Sequence, residues 1–254
     1  MKKINVVKIG GKLIENTAVL AALCDALKGL YPNCVLVHGG GTLAGKLAEK
    51  LGMEVHMHEG RRITDAGTLE VVVMAYAGLA NKKVVAGLQR RGVNACGLSG
   101  CDMGVVLSHK RPVKDIDWGF VGDIDTVDAE KLSMLLESGV MPVLSPITYS
   151  KEGLLLNTNA DSVASATATA LSRIYEVKLT FCFDKPGVLV DVDDDSSVIP
   201  SINRTQFKEF KESGVIYSGM LPKLENAFKT IDAGVSSVRL TDPDHLSGGT
   251  VIIK

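Results

Sequence analysis

The chain has 254 residues, 46% of them hydrophobic and 22% charged, so it can fold around a core without disulfide or metal cross-links. A formal net charge of −1 excludes the global basic field of a protein that binds nucleic acid or an anionic membrane surface. The five cysteines are odd in number and contain no C-x-x-C pair, so we expect reduced thiols and no structural metal.

Targeting segments are not expected either. The longest apolar run, residues 71–80, is shorter than the ~18 residues of a membrane span. The first eight residues are too interrupted for a secretory signal. We therefore expect a cytoplasmic protein without a membrane segment.

Hydrophobic periodicity predicts short strands that alternate with helices. The predicted strands cover residues 4–9, 34–38, 95–98, 140–144, 177–183, 237–240 and 251–253. The predicted helices cover residues 18–30, 43–51, 69–89, 129–137, 161–171, 206–212 and 221–233. Hairpins are predicted near 55–63 and between 105–107 and 120–123. This alternation is typical of parallel strands joined by right-handed crossovers, hence an α/β sandwich. A turn-rich stretch at 146–154 predicts a joint between two parts of one domain.

Three glycine clusters lie at the ends of predicted strands or the starts of predicted helices. They are Lys8-Ile9-Gly10-Gly11, His38-Gly39-Gly40-Gly41 and Gly219-Met220-Leu221-Pro222-Lys223. At the carboxyl end of a parallel strand, glycine lets backbone N–H groups approach an anion, and a helix N-terminus adds its dipole. Lysines beside two of the clusters favour a phosphate site.

Better-known glycine motifs do not fit. Residues 40–46 have the spacing of a P-loop, but Leu47 stands where Ser or Thr should bind Mg²⁺, so Lys46 is expected to be an exposed helix residue. The cluster at 38–41 is similar to a hydrolase oxyanion loop, yet the chain has no G-x-S-x-G elbow. A dinucleotide-binding G-x-G-x-x-G is also absent.

Taken in order, the motifs resemble the amino-acid kinase family over nearly the whole chain. The other matching segments are residues 60–64, 77–82, 97–102, 119–122, 157–161 and 184–188. The resemblance implies one domain over residues 1–254, a three-layer αβα sandwich with an open, mostly parallel central sheet. It assigns acylglutamate binding and dimerisation to about residues 1–150, and ATP binding to about residues 151–254.

The resemblance also implies a reaction, which is phosphoryl transfer from ATP to the side-chain carboxylate of an N-acylated glutamate in arginine biosynthesis. Mg²⁺ would be bound through the ATP phosphates. The acyl group of the acceptor can be acetyl or succinyl. A succinyl group carries another carboxylate, which could meet Arg61, His56 or His58. A glutamate side chain has a pKa near ~4.3, so it is already an anion and needs no general base. His38 is therefore expected to have a packing role.

Individual roles follow from the matching motifs. Lys8 and Lys223 would act on the phosphoryl group, and Asp161 would orient both ammonium groups. The residues expected to bind the acceptor are Gly40, Gly41, Arg62 and Asn157. Those expected to bind the nucleotide are Gly10, Gly11, Asp184, Lys185, Gly187, Val188, Leu189, Val215, Ile216 and Tyr217. Arg62 would hold the α-carboxylate, a use that suits a forked guanidinium.

Two departures and two alternatives accompany this interpretation. Phe183 stands where the family usually has a small hydroxyl residue. The extra N-terminal helix that builds hexamers in arginine-inhibited relatives is missing, so by analogy we expect a homodimer insensitive to arginine. One alternative is another family enzyme acting on carbamate, aspartate, glutamate or uridylate. The other is a non-catalytic nucleotide- or arginine-sensing module, which loss of Lys8, Asp161 or Lys223 would mark; all three are present.

Overall fold

A computed structural model describes residues 1–214 and 220–254, and they form an α/β sandwich around one large sheet. The strands are β1 (Lys3–Ile9), β2 (Cys34–His38), β3 (Met57–His58), β4 (Arg61–Arg62), β5 (Ala95–Leu98), β6 (Val106–Lys110), β7 (Gly122–Val127), β8 (Met141–Leu144), β9 (Ile147–Tyr149), β10 (Leu155–Asn157), β11 (Glu176–Cys182), β12 (Ser201–Ile202), β13 (Ser237–Thr241) and β14 (Thr250–Ile252). The helices are α1 (Gly11–Glu15), α2 (Thr17–Lys28), α3 (Gly41–Lys50), α4 (Ala66–Val73), α5 (Asn81–Gln89), α6 (Ala129–Glu137), α7 (Ala160–Leu171), α8 (Arg204–Ser213) and α9 (Leu221–Asp232).

The central sheet has eight strands in the order β12-β14-β13-β11-β1-β2-β8-β5. Strands β13, β11, β1, β2, β8 and β5 are all parallel, and the antiparallel pair lies between β13 and β14 near one edge. The predicted open, mostly parallel sheet is therefore confirmed.

Alternation along the central strands separates two cores, one on each face of the sheet. In β1, Ile4 and Val6 join the core under α6, α7 and α9, whereas Val7 and Ile9 join the core under α2 and α5. Successive side chains in a strand point to opposite faces, so one run of apolar residues supplies both layers. The three-layer αβα arrangement follows directly.

The segments outside the central sheet differ from prediction in part. The hairpin predicted from 105–107 and 120–123 is confirmed as the antiparallel pair β6–β7, with longer strands. The stretch 146–154, expected to be a turn-rich joint, instead contains β9, which pairs antiparallel with β10. Both short strands complete a four-stranded sheet, β10-β9-β6-β7. The division of the chain into two parts stays a prediction.

The long helix predicted at 69–89 runs continuously from Ala66 to Gln89, but its middle is a π-helix, Met74–Ala80. By length and composition alone, this helix could cross a membrane. The expectation that no segment is long and apolar enough, which considered only uninterrupted apolar runs, is corrected on this point. In the 18-residue apolar stretch of this helix, 44% is buried inside the protein. Val72 and Val84 both lie in hydrophobic cores of the protein. The core helix of a globular protein meets the same criteria of length and composition as a membrane-spanning helix.

Two glycine loops touch where β1 and β2 end. A Cβ placed on Gly11 would lie 2.7 Å from the backbone nitrogen of Gly40, and one on Gly40 would lie 2.4 Å from the ring of Tyr76. Backbone cannot move aside as a flexible side chain can, so glycine is required for this approach. A Cβ on Gly10, by contrast, would meet only the Cys182 carbonyl oxygen, at 3.9 Å.

These two neighbouring glycines make a matched pair of variants. Gly11→Ala should lower the free energy of unfolding by about 1–3 kcal/mol, the usual cost of overpacking. Gly10→Ala should change it by less than about 0.5 kcal/mol, as at an unstrained site. Urea denaturation of both variants measures the difference. Equal stability would show that the loops do not touch.

Candidate active site

A cavity of about 510 Å³ opens at the carboxyl ends of the central strands. Seven of the residues predicted to act in the site line it: Lys8, Gly40, Gly41, Arg62, Asn157, Asp161 and Lys223. Open parallel sheets bind ligands at this edge because the loops there carry no ladder hydrogen bonds and face helix N-termini. The structure thus brings together residues as far apart in sequence as Lys8 and Lys223.

An ion pair lines the cavity. The Lys8 ammonium, one residue before the end of β1, lies 2.8 Å from Oδ1 of Asp161 in the first turn of α7. The side chain of Lys8 is only 16% exposed. The Asp161 side chain is 38% exposed, so solvent screens part of the attraction, and the main effect of the pair is to fix where the ammonium lies. Asp161 was predicted to orient both ammonium groups, and among the described residues it forms an ion pair with Lys8 but none with Lys223.

Lys223 is the second cationic group of the cavity and lies in the first turn of α9. Burial lowers the pKa of Lys223, and the Lys8 charge acts in the same direction, whereas Asp161 and Asp184 act in the opposite direction. Its Nζ lies 4.2 Å from the centroid of the Phe183 ring. Two ammonium groups therefore lie at one cavity, one held by a carboxylate and one over an aromatic face.

The glycine loop after β2 supplies backbone donors. The first turn of α3 begins at Gly41 with Gly40 at its N-cap, and no side chain caps it. The N–H groups at an uncapped helix start are available to an anion, and the helix dipole favours negative charge there. Tyr76, which is 6% exposed, packs its ring against Gly40 from the π-helix.

Arg62 carries a guanidinium nitrogen that has no partner among the described residues. Its Nη2 donates to the Gly41 carbonyl oxygen at 3.0 Å, while Nη1 is buried and unpaired. A buried charged donor without an acceptor is costly, so the arrangement favours an anionic ligand at Nη1. Asn157 donates from Nδ2 to Oγ1 of Thr64 at 2.9 Å, and this hydrogen bond fixes the orientation of the Asn157 amide. Thr64 is two residues beyond Arg62 in the chain.

The residues predicted to bind the nucleotide are not gathered in this cavity. The Gly10 N–H donates to the Cys182 carbonyl oxygen at 3.3 Å. Lys185 is held by Asp195 at 2.9 Å, and the Val188 N–H and carbonyl oxygen are both bonded within the protein. Of the remaining residues, Gly11, Asp184, Gly187 and Leu189 do not line the cavity, and Val215, Ile216 and Tyr217 lie outside the described residues.

Several cavity residues were not predicted from the sequence. Tyr76 reaches the site from the π-helix, and Asn226 lies three residues after Lys223 on α9. Arg111 forms a forked pair with Asp123, with Nη2–Oδ1 at 2.7 Å, and stacks over Trp118. The spacing of Asn226 from Lys223 could have indicated it, because residues three apart share a helix face. The others depend on tertiary contacts alone.

His38 is buried beneath the site, as expected for a packing residue. Its Nδ1 bonds to the Gly39 carbonyl oxygen at 2.8 Å, and its Nε2 lies 3.1 Å from Asn81 Nδ2. This arrangement fits a neutral ring that donates from Nδ1 and accepts at Nε2. Burial lowers its pKa to about 4, so it is uncharged at neutral pH. It is absent from the described cavity lining.

Comparison with known proteins agrees with this geometry. The model of the Amino acid kinase family matches residues 3–242, and the chain belongs to that family. It is 53% identical to an acetylglutamate kinase of Bacteroides fragilis, covering 100% of this chain and 98% of the relative. The crystal structure of smu.665 from Streptococcus mutans superposes with a TM-score of 0.81 at 32% identity, covering 100% and 99%. Carbamate kinase from Giardia lamblia bound to AMP-PNP, at a TM-score of 0.73 and 13% identity with 100% and 99% coverage, shares the fold.

The buried His38 should make stability depend on pH in a defined window. Its pKa is about 4 when folded and about 6.5 when unfolded, so the unfolded chain binds more protons between these values. The contribution is fully present above pH ~6.5 and is lost as pH falls toward ~4, amounting to roughly 3 kcal/mol.

Urea denaturation of wild type and His38→Asn at several pH values isolates this effect. The variant is less stable at pH ~7 but should lack the loss between pH ~6.5 and ~4. His109→Asn is measured alongside it to show the effect of losing a half-exposed imidazole, one that contacts Asp125 at 2.7 Å. An unchanged acid profile in His38→Asn would contradict a neutral, buried imidazole.

Proposed function

We propose that the protein transfers the γ-phosphoryl group of ATP to the side-chain carboxylate of N-acetyl-L-glutamate, as a step in arginine biosynthesis. The observation that carries this proposal is one cavity lined by the Lys8–Asp161 pair, Lys223 and the unpaired Nη1 of Arg62. Relatives named acetylglutamate kinase that match the full chain at 53% identity support it. The product is an acyl phosphate.

The main barrier is repulsion between the acceptor carboxylate and the transferring phosphoryl group, since both are anions. Lys8 neutralises charge between them, and Lys223 does so at the phosphate chain. The N–H groups of Gly40 and Gly41 add donors from the start of α3. Asp161 keeps the Lys8 ammonium fixed, so little reorganisation is needed when charge develops. Because the acceptor is already ionised, no side chain has to remove a proton.

Arg62 and Asn157 hold the rest of the acceptor. The unpaired Arg62 Nη1 receives the α-carboxylate. Asn157 donates its amide hydrogen to Thr64, so its Oδ1 remains to accept from the acylamino N–H. These contacts place the side-chain carboxylate toward Lys8.

The donor set fits a metal ion carried by the nucleotide. Asp161 is the carboxylate that the described cavity lining contains, and Lys8 engages it. Oxygen ligands for Mg²⁺ are then those of the ATP phosphates, in keeping with the way Mg²⁺ is usually bound with few protein carboxylates. When bound, the ion supplies neutralisation of phosphate charge.

N-succinyl-L-glutamate is a second candidate acceptor, and Arg61 is the observation that favours it. Of the three residues considered for a second carboxylate, Arg61 lines the cavity; His56 lies 3.9 Å from Glu54, and His58 packs edge-on against Trp118. Arg62 can serve the α-carboxylate, which leaves Arg61 for a carboxylate on the acyl group.

The enzyme in this proposal is a homodimer in the cytoplasm. The homodimer is supported by an apolar surface on the π-helix, where Met74 and Leu79 are 50% and 47% exposed. Sedimentation velocity should show twice the 27.0 kDa chain mass. All five cysteines are free thiols, in keeping with a reducing compartment. In this proposal about residues 1–150 supply dimerisation and most of acceptor binding, and about residues 151–254 bind the nucleotide and add Asn157 to the acceptor site.

Removing either ammonium group should affect chemistry strongly. Lys8→Ala and Lys223→Ala should each lower kcat by at least ~10²-fold, the usual loss for one transition-state donor. Steady-state assays with ATP and N-acetylglutamate measure this, and circular dichroism checks folding. Lys12→Ala is the matched control, because Lys12 is exposed on α1 and outside the described cavity lining. Normal turnover in either active-site variant would refute the mechanism.

Arg62→Ala should act mainly on KM for the acylglutamate. A contact to a carboxylate remote from the reacting centre is made equally in the ground and transition states. Loss of a charged hydrogen-bonded pair should raise KM about 10- to 150-fold, or ~1.5–3 kcal/mol. Arg62→Lys should recover part of this, and KM for ATP should barely move. A defect confined to ATP would place Arg62 on the phosphates instead.

The acyl group can be assigned by a direct comparison of kcat/KM for N-acetyl- and N-succinyl-glutamate. If succinyl is accepted through Arg61, Arg61→Ala should lower kcat/KM for the succinyl substrate about 5-fold, as expected for an exposed ion pair worth ~1 kcal/mol. The acetyl substrate should be unaffected by the same change. An equal loss with both substrates would assign Arg61 to the α-carboxylate side.

A further inference from the structure

The strand-end residue Phe183 links a hydrophobic core to the cavity. It directly follows β11, and its N–H donates to the Thr241 carbonyl oxygen at 2.9 Å, which continues the ladder between β11 and β13 by one residue. The half-buried side chain packs against the core under α7 and α9 and also lines the cavity. Its ring is therefore fixed on one side and faces the cavity on the other.

Lys223 rests on that ring. The Nζ atom lies 4.2 Å from the ring centroid, well inside the ~6 Å range of a cation–π contact. Asp161, the carboxylate of the described cavity lining, is 2.8 Å from Lys8 and so is engaged by the other lysine. An aromatic face attracts an ammonium through its quadrupole, without accepting a conventional N–H···O hydrogen bond and without carrying a charge.

This difference matters for a group that must stabilise transferring phosphate. A carboxylate partner would offset the positive charge of Lys223 and take up one of its three donors. A ring face holds the same ammonium in place without adding another anion and leaves its N–H donors for phosphate oxygens.

We infer that Phe183 is a positioning residue that holds the Lys223 ammonium over its ring, ready for the phosphates of the nucleotide. The inference rests on the proposed phosphoryl transfer for its kinetic consequence, but the contact itself does not depend on the identity of the acceptor. A positioning role predicts loss of kcat without loss of fold, and an effect that passes through Lys223.

The first test replaces Phe183 with mono-, di- and trifluorinated phenylalanine, which weaken the ring quadrupole in steps at nearly constant shape. We expect log kcat to fall steadily along the series, with KM for the acylglutamate and the thermal midpoint little changed. Phe183→Leu should lower kcat about 2- to 30-fold, the range that corresponds to ~0.5–2 kcal/mol. A flat series with an active wild type would overturn the inference.

A double-mutant cycle separates positioning from general structural damage. In the Lys223→Ala background, Phe183→Leu should cause no further loss of kcat, because the ring has no ammonium left to hold. Phe181→Leu is the matched control: Phe181 lies two residues earlier in β11, lines the same cavity and packs in the same core. Its effect on kcat should be the same in both backgrounds. Additive losses for Phe183 and Lys223 would overturn the inference.

A measurement independent of turnover is a pH titration by NMR of the protein with its lysines labelled with ¹³C at Cε. Phe183→Leu should lower the pKa of Lys223 below its wild-type value, with the neighbouring Lys8, Asp161 and Asp184 unchanged. An unchanged pKa would overturn the contact even if the enzyme were inactive on both acylglutamates. Absence of turnover in the wild type with both acceptors, together with the expected pKa change, would instead refute the proposed function alone.

Discussion

The ion pair between Lys8 and Asp161 depends on which way a single strand faces. In β1, Lys8 shares the face of Ile4 and Val6, which pack under α7, and Asp161 lies in the first turn of α7. Because side chains alternate along a strand, a slip of one residue would turn Lys8 toward α2 and α5 and leave Asp161 without a partner. The parallel register of β1 with β2 and β11 prevents that slip and also brings the glycine loops to the same edge. The chemistry of the cavity thus begins with sheet register.

Periodicity predicted the parts of the fold in which burial decides structure. The strands 34–38 and 95–98 and the helix 129–137 have the predicted bounds, since each is a compact apolar pattern with clear ends. The elements that were missed are short: α1, β9, β10 and β12 have two to five residues each. Such segments exist because a distant strand or loop supplies their partners, and a local pattern does not contain that information.

The site shows the same division. The motifs predicted Lys8, Asp161, Lys223 and Arg62, and these side chains line one cavity. Tyr76, Arg111 and Trp118 come from a helix and a hairpin with no local sign of function, and only the tertiary fold brings them there. The nucleotide assignments came from a motif match alone. For Val188, the structure shows backbone groups already used by Thr250 and Ile199, a fact that depends on strands far along the chain.

The π-helix determines the spacing of two residues that support the site. Tyr76 packs on Gly40, and Asn81, five residues later, lies beside His38 and donates its own N–H to the Tyr76 carbonyl oxygen. A π turn joins residues five apart by a backbone hydrogen bond and keeps them closer to one face, whereas an α-helix would separate them by about 140° around its axis. The number of residues between Tyr76 and Asn81 is therefore constrained independently of which side chains residues 78 and 79 carry. A one-residue deletion there would turn either Tyr76 or Asn81 away, so insertions and deletions should be rarer in this exposed segment than substitutions.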